Sequence, residues 1–121
     1  MAAPNIVNVA TITAKTAGLA LTDSEQDLLE NPAGSGKVLK VNMIRATNVD
    51  GSSAAEVTLA FVDDSETATF HLAYTIPVPA DAALVLLDKS EAIYLEEGDK
   101  LTAVASASGD IELVVSYEEL S

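Results

Sequence analysis

The chain has 121 residues, no cysteine and no tryptophan, and its 19 acidic side chains against 6 basic ones give a net charge of −13. That length supports one domain with its own core, and an acid excess of this size argues against nucleic acid and membrane surfaces as partners. Without cysteine there is no disulfide framework or thiolate metal site, and with 4% aromatics the core must come from Val, Leu, Ile and Ala.

No basic residue precedes Lys15 and no long apolar run follows the start, so neither a secretory signal nor a membrane span is expected. Apolar and polar residues alternate with a period of two through most of the chain, as in half-buried strands. NIVNVATITA (5–14) and GLALT (18–22) read as two strands with a polar break between them. DLLEN (27–31) is a short edge strand, although SEQDLLEN could instead form one helical turn capped by Ser24. KVLKVNMIRATNV (37–49) is long and rich in branched residues. Its apolar positions switch parity, with Leu39, Val41 and Met43 odd but Ile44 and Ala46 even. A bulge at Met43–Ile44 repairs the switch and points Lys40, Asn42 and Arg45 outward.

The turn NVDGSS follows, with Asp50-Gly51 expected to supply left-handed backbone. EVTLAFV (56–62) sets Val57, Leu59 and Phe61 on one inward face. Beyond the polar turn DDSET, TFHLAYTI (69–76) sets Phe70, Leu72, Tyr74 and Ile76 inward and stops at Pro77 and Pro79. ALVLL (83–87) is apolar on both faces, which fits a doubly covered strand or a face between subunits. AIYL (92–95) and KLTAVAS (100–106) are joined by a tight corner at Gly98-Asp99. DIELVVSYEEL (110–120) closes the set with Ile111, Leu113, Val115 and Tyr117 inward; Tyr94 is also assigned inward, while Val104 and Val114 fall outward. About nine short strands with regular turn signals predict an all-β, single-domain antiparallel sandwich, jelly-roll-like, over 1–121.

Catalytic signals are weak. AGSGKVLKV places Gly36-Lys37 as in a phosphate loop, but Asn31 and Val38 hold the positions that need Gly and Ser or Thr, so the segment reads as a hairpin turn. The single histidine, His71, has no cysteine to work with and reads as an outward surface residue. DDSE (63–66) and EEGD (96–99) lack the spacing of a calcium loop and read as solvated turns. No cofactor, metal site or catalytic residue is expected. Surface contact is what remains: residues 32–49 carry three of the six bases, Lys37, Lys40 and Arg45, and no acid. That stripe either complements an acidic partner or blunts a strand edge.

The C-terminal half, with its IPVPADA turn, IYLEEGD corner and closing SYEE strand, resembles small virion structural proteins of tailed bacteriophages of the marine phage and cyanophage type. MAAPNIVNVATITAKT and ATNVDGSSAAEVT fit the same resemblance. It implies a small oligomeric sandwich, a homotrimer, on the capsid outer surface. Such a protein decorates and stabilises the mature head by binding the major capsid protein lattice; a tail, neck or fibre position and a carbohydrate-binding adhesion module are the alternatives. The uncharged residues 1–8 are expected to form an extended arm, with Ile6 and Val7 joining Lys37, Lys40 and Arg45 as partner contacts.

Overall fold

The computed structural model describes residues 9–121. These residues form β1 (Ile12–Ala20), β2 (Gln26–Glu30), β3 (Val38–Asn48), β4 (Ala55–Asp63), β5 (Ala68–Val78), β6 (Ala83–Leu87), β7 (Ile93–Leu95), β8 (Lys100–Ala105) and β9 (Ile111–Leu120). A single 3-10 turn, Lys89–Glu91, interrupts the stretch between β6 and β7 and carries a capping box from Asp88. One sheet runs β1-β9-β3-β6, with β7 also on β3, and the other runs β2-β8-β4-β5. The pairs β1·β9, β2·β8, β3 with β6 and β7, and β4·β5 are all antiparallel. They trace one long two-stranded ribbon, with the β4–β5 turn at its tip, rolled over into two facing sheets. That is a jelly-roll arrangement, within the all-β antiparallel sandwich expected from the number and spacing of the strands.

The core lies between the sheets and is aliphatic, as the scarcity of aromatics requires. Leu39, Val41, Ile44, Ala46, Leu113 and Val115 from one sheet meet Val57, Leu59, Leu101 and Ala103 from the other. Each fully buried Leu, Ile or Val contributes about 1.5–3 kcal/mol relative to exposure. The expected parity switch in β3 is present. Val41 pairs with Tyr117 and Met43 with Ser116, so Asn42 is the extra residue and Ile44 and Ala46 return to the core. The bulge sits one position earlier than expected and leaves the buried Oδ1 of Asn42 without a hydrogen-bond partner among the described groups.

Four expectations are corrected. First, residues 12–20 form one strand, not the end of one and the start of another: β1 pairs with β9 from Ile12↔Leu120 to Ala20↔Glu112 with no register shift. Residues 5–8 of the first expected strand lie outside the described residues. Second, the segment at Gly36-Lys37 is not a hairpin, because β2 and β3 belong to opposite sheets and the loop crosses the sandwich. Gly34 and Gly36 supply its left-handed backbone. Third, Gly51 is not among the residues with positive φ. The β3–β4 turn is held by side chains instead: Asn48 Oδ1 accepts from Asp50 N–H, and Asp50 Oδ1 accepts from Ser52 N–H and its hydroxyl. Those Ser52 bonds, backbone first, hold the Asp50 carboxyl below its usual range.

The fourth correction concerns β5. Phe70, Leu72 and Tyr74 are exposed, and Ala73 and Val78 are the buried residues. Val57 pairs with Ile76, Leu59 with Ala73, and Ala60 with His71, so β5 carries an extra residue at 74–75 and another at 72. Each extra residue flips the side chains beyond it. Thr75 absorbs one flip at φ 47°, with its N–H donating to Thr58 Oγ1.

Buried polar side chains pin the loops at both ends. At one end Asn31 Nδ2 donates to the carbonyls of Lys37 and Leu95, and Asp99 accepts from Asp64 N–H and Glu96 N–H. At the other, Asn48 Nδ2 donates to Ser53 and Val78 carbonyls. The Gly98 corner is a tight turn as expected, with Gly98 at φ 93°.

Candidate interaction surfaces

No described residues assemble a catalytic constellation. His71 is exposed and meets Tyr74 edge-on at 4.8 Å rather than a carboxylate or hydroxyl. The acidic turns spend their carboxylates on backbone: Asp63 Oδ1 accepts from Ser65, and Asp99 is buried as a loop pin. Among the described residues no group of three or more His, Asp or Glu could hold a metal ion, and no helix is long and apolar enough to cross a membrane. Two shallow depressions, of about 150 Å³ near Thr58, Thr75 and Val104 and about 270 Å³ near Gly18, Glu112 and Val114, are smaller than usual ligand pockets.

The outer face of the five-stranded sheet is the more informative feature. Paired residues in a ladder share a face, so the register lays its side chains out in rows. In one row Arg45 stands between Val85 and Val114, and in another Lys40 stands between Tyr94 and Glu118. Val85, Tyr94 and Val114 are 47%, 43% and 39% exposed. Toward β1 the rows end in small side chains, Ala14, Thr16, Gly18 and Ala20. The face therefore mixes aliphatic and small side chains with two cations, Lys40 and Arg45, and two acids, Glu118 beside Lys40 and Glu112 between Ala20 and Thr47, while most of the chain's acid sits in loops. The apolar outward character of ALVLL is explained here: β6 borders this face with Ala83, Leu84 and Val85 exposed, so it is not covered on both sides. Tyr94, expected inward, joins the outer row because it pairs with Lys40 rather than with a core residue.

Lys37 belongs elsewhere. Its Nζ lies 3.2 Å from one oxygen of Glu119, and Lys15 Nζ lies 3.3 Å from the other. Glu119 pairs with Leu39 on the core-facing side of β9, so the triad closes one end of the sandwich rather than extending the outer patch. Burial pushes the Glu119 carboxyl up, but hydrogen bonds and charge from Lys37 and Lys15 outweigh it and hold the group below its usual range. Of the sequence-selected contact residues, the structure thus brings Lys40 and Arg45 onto one face and separates Lys37 from them. Ile6 and Val7 lie outside the described residues. Sequence reasoning missed the exposed rings of β5, where Phe70 is 54% and Tyr74 65% exposed. The Pro77 at its end, a residue confined to edge strands, was the available signal.

No protein-family model matches the chain, and no curated protein matches it. Solved structures do. A chain in the acidic stable capsid structure of Helicobacter pylori bacteriophage KHP30 aligns with TM-score 0.54 and 11% identity over 93% of this chain and 90% of its own. A chain from the Bacillus endospore appendages, a family of disulfide-linked pili, aligns with TM-score 0.50 and 14% identity over 92% and 88%. A chain of Sulfolobus Turreted Icosahedral Virus aligns with TM-score 0.51 and 18% identity over 93% of this chain but 30% of its own. The likeness is one of fold. Identities of 11–18% are too low to carry a function across. With no cysteine, this chain cannot form disulfide links.

Proposed function

We propose that this chain is a virion structural protein that decorates and stabilises the exterior of a mature capsid by binding the major capsid protein lattice. The observation that carries the reading is the outer face of the five-stranded sheet, where exposed Val85, Tyr94 and Val114 stand among Lys40 and Arg45, balanced by Glu112 and Glu118, on a chain of net charge −13. A near-neutral, partly apolar face on an otherwise acidic chain suits a partly apolar protein surface, and the acidic loops keep the displayed copies apart and soluble. The similarity in fold to chains of phage and viral particles supports the same reading.

Size decides how such a face must act. Four strands about 4.8 Å apart and nine residues of about 3.4 Å each cover roughly 600 Å². A standard stable interface buries about 800 Å² per partner, so one copy alone binds weakly. Copies joined to one another multiply the footprint, and the homotrimer implied by the resemblance is one way of joining them. The arm of residues 1–8, with Ile6 and Val7, would add contact area. The test is binding of the purified protein to particles stripped of it. Replacing Lys40 and Arg45 together with Glu should abolish binding, whereas Lys37→Gln should leave it nearly intact because Glu119 already engages Lys37. Retained binding by the double variant would remove this face from the interface.

A second reading has its own observation. Tyr74 stands exposed on β5 against His71, with Phe70 exposed on the other side of the strand, and exposed rings are what sugar faces stack on. A glycan array on which Phe70→Ala and Tyr74→Ala abolish a signal given by the unaltered chain would favour an adhesion module instead. A tail, neck or fibre-base position is the alternative to the first reading, and no observation of this structure favours it.

A further inference from the structure

The sandwich has four sheet edges among the described residues, and three are blunted in ways that stop strands from pairing edge to edge. β2 is five residues long, shifts register between Asp27 and Leu29, and carries Asp27 and Glu30. β6 and β7 are short, and the 3-10 turn separates them. β5 is long, but it has two extra residues, a positive φ at Thr75 and Pro77 near its end.

β1 has none of these devices. It runs nine residues without a register shift or a proline, and most of its side chains are exposed. Its backbone is also poised. Thr11 and Ser121 exchange both hydrogen bonds, and Leu21 N–H donates to the carbonyl of Ile111. Because antiparallel ladders alternate, the odd residues between them spend their N–H and C=O groups on β9. Ile12, Ala14, Thr16, Gly18 and Ala20 therefore turn theirs to the open edge. The charge pattern matches. Residues 9–22 contain a single charged side chain, Lys15, whose ammonium shares Glu119 with Lys37. In a molecule of −13 this is where two copies approach with least repulsion.

We propose that β1 is a self-pairing edge. Two copies of this chain join β1 to β1 in antiparallel register about a two-fold axis at Thr16, setting Ala14 opposite Gly18 and Ile12 opposite Ala20 of the second copy. The small side chains at 14, 16, 18 and 20 allow the approach, and all five open residues find partners. The axis is perpendicular to the sheet, so both outer faces point the same way and form one continuous surface. This dimer takes the place of the trimer implied by the resemblance, and it stands whether or not the surface binds a capsid.

The test uses the full chain, whose lack of cysteine makes single-cysteine variants clean. Residues directly opposite in a hydrogen-bonded antiparallel pair have Cα atoms about 5.5 Å apart, within disulfide range. Thr16→Cys should therefore give a covalent dimer on mild oxidation. Ala14→Cys, whose two copies would stand roughly 14 Å apart, should not. In sedimentation equilibrium the unaltered chain should be a dimer at micromolar concentration. Thr16→Pro removes a donor that faces the open edge and should give a folded monomer. Thr16→Lys, which opposes two ammonium groups across the axis, provides the same result should the proline variant fail to fold. A monomeric or trimeric unaltered chain, a Thr16→Lys variant that stays dimeric, or equal cross-linking at positions 14 and 16 would each overturn the pairing.

Discussion

Asn31 and Asn48 do the same work at opposite ends of the sandwich. Each is almost wholly buried, each donates from Nδ2 to two carbonyls on different elements, and each accepts a hydrogen bond on Oδ1. Asn31 ties the β2–β3 loop to Leu95 at the end of β7, and Asn48 ties the β3–β4 turn to Val78 at the end of β5. Both link segments that pass between the two sheets, so they fix how the ribbon rolls as well as where its loops lie.

Asn31→Ala or Asn48→Ala should each cost about 2 kcal/mol, the loss expected when buried carbonyls lose their donors. The two losses should add to within about 0.5 kcal/mol, because the sites share no partner. Urea denaturation of the single and double variants measures both quantities. A loss below about 0.5 kcal/mol at either site would mean that water replaces the side chain.

Gly98→Ala should be more costly than Gly34→Ala. Both glycines have positive φ, which a side chain resists at a cost of about 1 kcal/mol or more. At Gly34 an added Cβ meets nothing within 4 Å, whereas at Gly98 it would come within 2.7 Å of Asp64 Oδ2. Combining Gly98→Ala with Asp64→Ala should recover part of the difference, because the Cβ at 64 would still stand 3.0 Å away, and none of the backbone strain. Thermal melts of the three variants decide it.

Glu119 gives a pH dependence with a definite sign. Its folded carboxyl titrates below the unfolded value, so its contribution is present above about pH 4.5 and is lost as pH falls through the folded value. Glu119→Gln should reduce stability at pH 7 by no more than about 1 kcal/mol, since Lys15 and Lys37 are partly exposed. The two proteins should converge in acid. A constant gap across the whole range would assign the effect to packing rather than charge.

The exposure of β5 predicts a contrast between aromatic and aliphatic truncations. Phe70→Ser and Tyr74→Ser should change stability by about 0.5 kcal/mol or less, as surface substitutions do. Leu113→Ala, in the buried core, should cost about 2–5 kcal/mol. Large losses at Phe70 and Tyr74 would restore the inward face that alternation alone assigns to them.

That contrast also marks what could be read from the sequence. β9 was legible because its inward residues, Ile111, Leu113 and Val115, alternate without interruption and the strand is central, paired on both sides. β3 was legible despite its bulge, because the parity of its apolar residues changes partway along. β5 was not: its edge position leaves apolar side chains exposed on either parity, and Phe70, Leu72, Tyr74 and Ile76 keep one parity through two extra residues. The loop at Gly36 looked like a hairpin because local glycines do not reveal whether a chain turns within a sheet or crosses to the other. Lys40 and Arg45 were legible as a surface feature, but the pairing of Lys37 with Glu119 joins residues 82 apart and has no local signature.

The central claim is that this protein stands on the outside of a capsid. Immunogold labelling of intact purified particles, using antibody raised against the chain, tests it most directly. Label spread evenly over the heads is the predicted result. Label confined to the neck or tail, or a particle in which mass spectrometry finds no trace of the chain, would contradict it.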